Sequence, residues 1–467
     1  MPAPFDVAVI GAGVVGVAVA RALSGFDLRT VVLEAGSDVG TGTSKANTAI
    51  LHTGFDAVPG SLEARLVARG YELMTAYARE TGIPVERRGA CLVAWSDEEV
   101  AQLPSIEEKA RANGCGGLRR LPVEELYALE PHLGAGARAA LLVPDESIIC
   151  PFTAPLAMAT EAVVNGVDLR LNSRVTSVKS ADGVHVLGCG PGEIAARWVV
   201  NAAGLQSDTV EDLFGQRRFR VRPRKGELIV YDKLAHRLLR HILLPVPTKT
   251  TKGVLVSPTV FGNVLLGPTA TDIDDKDDTS TTREGLDFIL GKGARILPAL
   301  ADEEVTATYA GLRAATESSD YQVHVDPARR YLCLGGIRST GLSASLALAE
   351  HAVDLLSGSM ALAPKRDRKT IRMPPVGEAM IRPHQDAALI ARDAEYGRIV
   401  CHCERVTAGE VRDAIRAPVP ARTLDGLRRR TRALQGRCQG FYCTDRILSL
   451  LARETGRTPA SCWEAPA

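Results

Sequence analysis

Aromatic residues are scarce in this 467-residue chain, at 4% of the total. A charge excess of either sign is also missing, since 56 Lys and Arg nearly cancel 55 Asp and Glu. A balanced chain exerts no global field on nucleic acid or on an anionic lipid surface, so any electrostatic recognition must be local. No uninterrupted apolar run approaches the roughly 20 residues that span a bilayer, which excludes a multi-span membrane protein. Internal repeats and long low-complexity tracts are absent, which excludes solenoids and fibres. The start, Met1-Pro2-Ala3-Pro4-Phe5-Asp6, lacks the basic residues and apolar core of a secretory leader, so the protein is expected in the cytoplasm. The ten cysteines are then reduced thiols or metal ligands rather than a disulfide frame. Hydrophobic residues at 45% and charged residues at 24% describe a globular protein of two or three domains.

An apolar run, Asp6–Ile10, leads into Gly11-Ala12-Gly13-Val14-Val15-Gly16, a helix-like stretch and a second β-branched run, Thr30–Glu34. This is a strand–helix–strand unit carrying G-x-G-x-x-G at the first turn. The first glycine permits the tight turn, the second lets backbone approach a pyrophosphate, and the third lets helix pack on strand. Glu34, 18 residues after Gly16, can accept hydrogen bonds from ribose hydroxyls, which disfavours NADP but does not separate NAD from FAD. Two later segments favour FAD. Trp198–Gly204 is a strand running into small residues, and Gly335–Gly341 joins a strand to an apolar helix over Leu342–Leu356. That helix could aim its dipole at the electron-rich edge of a flavin. Tight packing alone would explain both.

The remaining pattern is mixed. Glu63–Thr81 reads as an amphipathic helix ending at Gly82. Strands are expected at Ala90–Ala94, Leu169–Val178, Val184–Gly188, Glu227–Tyr231, Gly253–Val256 and Val264–Leu266. Ala361–Pro383, with four prolines and a basic run, reads as a solvated linker.

Six cysteines (Cys91, Cys115, Cys150, Cys189, Cys333, Cys462) are scattered, but Cys401-x-Cys403 is followed 35 residues later by Cys438 and, after four more residues, by Cys443. Four thiolates in two pairs can hold a metal centre, either zinc or an iron–sulfur cluster. Thr407-x-x-Glu410 is a capping box, and Thr444-Asp445 opens another helix, so two helix N-termini flank the thiolates. Arg428, Arg429, Arg430, Arg432 and Arg437 are either a solvated face or a surface for an acidic electron-transfer partner.

The ensemble resembles the FAD-dependent D-amino-acid-oxidase-type superfamily. Within it, Asn47–Gly54 with Pro59–Leu62, Pro223–Glu227, Pro245–Lys249, Leu266–Ala270, Tyr309–Arg313 and Gly336–Leu342 are similar to glycerol-3-phosphate dehydrogenase and its L-2-hydroxyglutarate dehydrogenase relatives. Cys401–Thr407 with Gly436–Cys443 resembles the [2Fe-2S] module of the bacterioferritin-associated-ferredoxin type. The resemblance implies an α/β, Rossmann-type FAD-binding domain (1–85, 146–220 and 329–360). It is interleaved with an α+β, sheet-rich substrate domain (86–145 and 221–328). A linker (361–395) and a small, mostly helical [2Fe-2S] module (396–467) follow.

It further implies FAD contacts from Gly11, Gly13, Val15, Gly16, Glu34, Ala35, Thr43, Ser44, Asn47, Thr48, Val175, Ala203, Gly204, Gly336, Ile337, Arg338, Gly341 and Leu342, and cluster ligation by Cys401, Cys403, Cys438 and Cys443. His52 is the candidate base, with simple packing beside flavin as the alternative. Arg313 is the candidate anion clamp, while Lys249, Lys252 and Arg338 are candidate substrate contacts. The implied reaction is oxidation of a secondary alcohol in a small anionic substrate, foremost sn-glycerol 3-phosphate. The alternatives are a 2-hydroxyacid, an opine or amine, or a pure electron-transfer role. An electron-acceptor protein or partner subunit is expected, and any membrane contact would pass through it.

Overall fold

The computed structural model describes residues 3–190, 192–247 and 253–463. Five parallel strands form the centre of the first sheet, in the order Asp168–Arg170, Thr30–Leu33, Phe5–Ile10, Gly192–Asn201 and Tyr331–Gly335. Strand Gly192–Asn201 begins in an antiparallel meander with Val184–Cys189 and Val175–Ala181, then turns into the parallel core. Gln322–Asp326 closes the opposite edge.

Both faces of this sheet are covered, which is why its strands are continuously apolar rather than alternating. Val7 and Val9 face a layer containing Val17, Val19 and Leu346, from helices Val14–Leu23 and Gly341–Ser357. Ala8 and Ile10 face the other way, toward Leu187, Val210 and Phe219. Truncating a large side chain from such a layer to alanine costs about 2–5 kcal/mol.

A second sheet runs from Val305–Ala315 through Arg222–Tyr231, Val264–Gly267, Leu255–Pro258, Ile242–Pro245, Ala90–Ala94 and Ala139–Val143 to Arg119–Pro122. A three-stranded piece, Ile50–Leu51, Ser147–Ile149 and Val85–Arg87, stands between the two sheets in sequence and carries the loop after Leu51. The C-terminal module is a short hairpin, Ile399–Cys401 with Val406–Thr407, and helices Ala408–Arg416, Leu424–Thr431, Thr444–Thr455 and Pro459–Trp463. Among the described residues no helix is long and apolar enough to cross a membrane.

Three local expectations need correction. Leu169–Val178 is not one strand. Asn172 adopts φ 52°, and the Asn172 and Ser173 amides leave the ladder to donate to Gly36 O and Glu34 O. The strand expected at Gly253–Val256 is Leu255–Pro258. The segment after Ala361 exposes most side chains up to Thr370, but its backbone is tied down. Lys365 N–H donates to Gly25 O, Met373 N–H to Thr81 O and Glu378 N–H to Val260 O, and the segment ends at a fully buried Arg382.

Candidate functional site

The first turn is built by close approach. A Cβ on Gly16 would stand 1.9 Å from the Gly11 carbonyl oxygen, and one on Gly11, at φ +100°, would stand 2.6 Å from Ala202 O. At Gly13 only Ser44 Oγ comes within contact, at 3.4 Å, so the backbone there is open to a ligand. Gly13 caps helix Val14–Leu23 with no side-chain bond of its own. Val14 N–H donates instead to Ser44 Oγ at 2.9 Å, which brings the Thr43–Ser44 loop against the helix N-terminus. Glu34 accepts from Ala12 N–H at 2.6 Å and from Gly36 N–H at 2.7 Å. Its oxygens thus brace the turn while each retains a lone pair. Ala35 is exposed next to it, and Ser173 N–H, two residues before Val175, donates to Glu34 O.

Across the sheet, Ala203 and Gly204 (φ 56°) follow strand Gly192–Asn201, with no atom near the position of a Gly204 Cβ. Asn201, fully buried, holds this turn by donating to Ser207 O and accepting from Ala203 N–H. After Gly336 (φ 64°), Ile337 and Arg338, the 17-residue helix Gly341–Ser357 begins with no side-chain cap. Its N–H groups at Gly341 and Leu342, without a partner among the described residues, present partial positive charge. A buried chain of Tyr321 Oη, Thr340 Oγ1 and Glu63 Oε1, linked at 2.6 and 2.7 Å, holds the turn in place. Arg338 lies at its rim, bonded to Ser319 O and 3.8 Å from Glu63. A helix start without a side-chain cap, a second whose first amide is held by Ser44, an open glycine and an acceptor carboxylate are suited to a dinucleotide carrying a redox ring.

Between these elements runs the loop of residues 43–53. Thr43 Oγ1 donates to Leu312 O, and Tyr309 Oη donates to Asn47 O, so the loop lies along strand Val305–Ala315. Thr48 follows in the same loop, half-buried. His52 is half-buried. Its backbone N–H donates to Ser343 Oγ at 2.8 Å, in the first turn of helix Gly341–Ser357. Its Nδ1 is 2.9 Å from Glu146 Oε2. Glu146 is fully buried, and its other oxygen accepts from both the N–H and the hydroxyl of Thr53. With Nδ1 engaged, Nε2 is the nitrogen available to a ligand. Glu146 is a site residue that motif reading missed. The only signal was a Pro144-Asp145-Glu146 interruption between apolar strands.

Arg313 sits on the strand beneath this loop, opposite Arg224 in register. Its guanidinium lies over Gly226, where a Cβ would come within 2.9 Å of Nη2. No carboxylate or carbonyl among the described residues pairs with it. Burial, with a smaller contribution from Arg224, pushes its pKa down to about 10. The candidates Lys249 and Lys252 lie outside the described residues.

The four cysteines of the C-terminal module stand as two close pairs, Cys401 with Cys443 and Cys403 with Cys438. Cys401 and Cys443 are buried, Cys438 is half-buried and Cys403 is exposed. Among the described residues no three His, Cys, Asp or Glu side chains are already drawn into one metal-holding group. The donors nevertheless suit a sulfur cluster. The Glu404 and Leu434 amides point at Cys401, and those of Gly440 and Tyr442 at Cys438. The bond from the Cys443 thiol and those amides hold the Cys401 thiol down to about 6. Backbone amides aimed at thiolates are the usual surroundings of an iron–sulfur centre. The capping box is present, with Thr407 and Glu410 exchanging bonds, and Thr444 begins a helix.

Three of the five arginines of the run belong neither to a solvated face nor to a free docking surface. Arg429, Arg430 and Arg432 are buried. Arg429 and Arg430 grip Asp38, and Arg432 reaches Glu404 and Asn263. Half-exposed Arg437 pairs with Asp232 and Glu304. Acidic partners inside the chain had no signature in local sequence.

Comparison with known proteins agrees with both constellations. Residues 6–355 match the family described as DAO, FAD dependent oxidoreductase, and residues 399–453 match the BFD-like [2Fe-2S] binding domain. The chain is 36% identical over 459 residues to a glycerol 3-phosphate dehydrogenase of Caloramator mitchellensis, covering 97% of this chain and 95% of that one. It is 28% identical over 500 aligned positions to a subunit of the anaerobic glycerol-3-phosphate dehydrogenase of Escherichia coli K12, covering 98% and 90%. The FAD-bound, dithionite-reduced L-alpha-glycerophosphate oxidase of Mycoplasma pneumoniae superposes with a TM-score of 0.75 at 28% identity, over 80% of this chain and 99% of that one. FAD and a [2Fe-2S] cluster are therefore the cofactors of this oxidoreductase. The chain belongs to the DAO family of FAD-dependent oxidoreductases and carries a BFD-like [2Fe-2S] domain at its C-terminal end.

Proposed function

We propose that this chain is a dehydrogenase that oxidises sn-glycerol 3-phosphate to dihydroxyacetone phosphate and delivers the electrons to a partner protein. The observation that carries this reading is Arg313, an enclosed guanidinium with no counter-charge among the described residues, lying beneath the loop that presents His52. A half-buried, desolvated cation without a partner is costly, and a phosphate monoester supplies the oxygens its fork lacks.

FAD when bound supplies the acceptor for a hydride, and the cluster supplies a one-electron exit. Everything else falls to side chains. Arg313 holds the phosphate and so fixes the distance to C2. His52 takes the C2 hydroxyl proton at Nε2 as the C2–H bond breaks and the C=O bond forms. Its Nδ1–H stays on Glu146, whose carboxylate fixes the tautomer and offsets the imidazolium charge. The Ser343 bond to the His52 backbone ties the base to the same helix start that faces the flavin site. Lys249, Lys252 and Arg338 are further candidates for phosphate contact.

The exposure of Cys403 supports this reading, since an acceptor protein could approach one edge of the cluster site there. The chain works in the cytoplasm and meets the membrane only through that partner.

The test is anaerobic mixing of holoprotein with sn-glycerol 3-phosphate, L-2-hydroxyglutarate and an opine in turn. Rapid bleaching of the flavin band by glycerol 3-phosphate, followed by loss of the broader iron–sulfur absorbance, is the expected result. Bleaching only by one of the others, or by none, overturns the substrate assignment.

A further inference from the structure

Helix Leu424–Thr431 of the cysteine module reaches away from the thiols to the loop that follows strand Thr30–Leu33. Arg429 Nη2 is 2.6 Å from Asp38 Oδ2, and Arg430 makes two bonds to the same carboxylate, at 2.6 and 2.8 Å. Asp38 is 4% exposed and also accepts from Val39 N–H. Asp425 pairs with Arg429 and lies 3.8 Å from Lys45 Nζ, so the same helix touches both ends of the loop of residues 36–45. The inner side of that loop is the dinucleotide cradle. Gly40 N–H donates to Ala12 O, and Ser44 Oγ takes the first amide of helix Val14–Leu23.

We propose that this helix is the outer wall of the FAD site, with Arg429 and Arg430 as positioning residues acting through Asp38, so that FAD retention and docking of the cluster module are thermodynamically coupled. The four charges Asp38, Asp425, Arg429 and Arg430 sum to zero. Asp38, Arg429 and Arg430 are buried while Asp425 is half-exposed. Removing Asp38 therefore leaves two buried guanidiniums without their shared carboxylate, and removing Arg430 leaves that carboxylate with one guanidinium. Both release the loop from part of its outer support. Because the coupling is an equilibrium one, it must act in both directions: what loosens the module loosens FAD, and FAD holds the module. It rests on the FAD site alone and is untouched if glycerol 3-phosphate proves not to be the substrate.

The experiment is an FAD titration of the deflavinated, cluster-loaded full chain, followed by quenching of flavin fluorescence. Arg430→Met and Asp38→Asn should each weaken FAD by about tenfold, and the double variant by clearly less than the product of the two. Arg416→Gln is the control, since its ion pair to Glu454 lies inside the module and touches neither the loop nor the module's docking contacts. It should stay within about twofold of wild type. FAD affinity unchanged in Arg430→Met, or an equal loss in Arg416→Gln, overturns the coupling. A second measurement needs no variant. Saturating FAD should slow cluster loss to a ferrous-iron chelator by about fivefold in the wild-type chain, and equal rates with and without FAD would refute it.

Discussion

The Nδ1 atom of His52 lies 2.9 Å from Oε2 of Glu146, a carboxylate with no solvent exposure that Thr53 grips from the other side. An imidazole oriented in this way presents one tautomer, which suits the role of base proposed for His52. Glu146→Gln preserves size but lets an amide donor face Nδ1 and favour the wrong tautomer. Its kcat should fall about 10²–10³-fold, as should that of His52→Asn, and the double variant should be little worse than either. Steady-state rates with FAD content held equal decide this. If the two losses multiply, the residues do not act as a unit.

As the proposed anion clamp, Arg313 would trade stability for binding. Its folded pKa of about 10 lies below the ordinary guanidinium value, so the enclosed cation costs stability at every pH below about 10, and that cost fades as pH rises from 10 toward the ordinary value. Arg313→Leu should therefore raise the melting midpoint of the substrate-free protein by about 2 °C while lowering kcat/KM by about 10² or more. In the wild type, substrate affinity should drop about tenfold per pH unit above 10. Thermal melts and spectral titrations at pH 8 to 11 test the two halves separately.

The glycines of the first turn should fail in different ways. Gly16→Ala forces a methyl to 1.9 Å from a carbonyl and should cost the apoprotein about 1–3 kcal/mol of stability. Gly13→Ala meets only Ser44 Oγ, so the apoprotein should melt normally yet bind FAD about tenfold more weakly. Apoprotein melts beside FAD titrations distinguish them. A melting point in Gly13→Ala as low as that of Gly16→Ala would show that both glycines serve packing.

Removing the cluster should separate the two halves of the reaction. Cys403 is exposed, so Cys403→Ser spares the module core, whereas Cys443 packs with Val406, Leu434 and Ile447. In Cys403→Ser the iron–sulfur absorbance should vanish and substrate should still bleach the flavin. Delivery of electrons to a protein acceptor should fall by about 10² or more. Undiminished delivery would make the cluster structural.

Much of the site was legible where chemistry depends on local spacing. Gly11–Gly16 with Glu34, the Thr407–Glu410 capping box, the Ala90–Ala94 strand and the helix ending at Gly82 appear in the structure where the sequence pattern placed them. Each is governed by backbone geometry over a few residues. Leu169–Val178 misled because its apolar content suits a strand, while the amides of Asn172 and Ser173 were taken by the Gly36 and Glu34 carbonyls. The basic residues around 428–437 misled because charge alone says nothing of where its partner sits.

By itself, then, the sequence determined the two cofactor-binding constellations, because glycine spacing, β-branched runs and paired thiols act within a turn or two of backbone. Only the tertiary structure decided that Glu146 backs His52, that Arg313 has no partner among the described residues, and that Arg430 closes on Asp38 across 392 residues. Those outcomes depend on which surfaces the two sheets and the C-terminal module bring into register. A carboxylate or guanidinium carries the same letter whether water, an ion pair or a waiting substrate surrounds it.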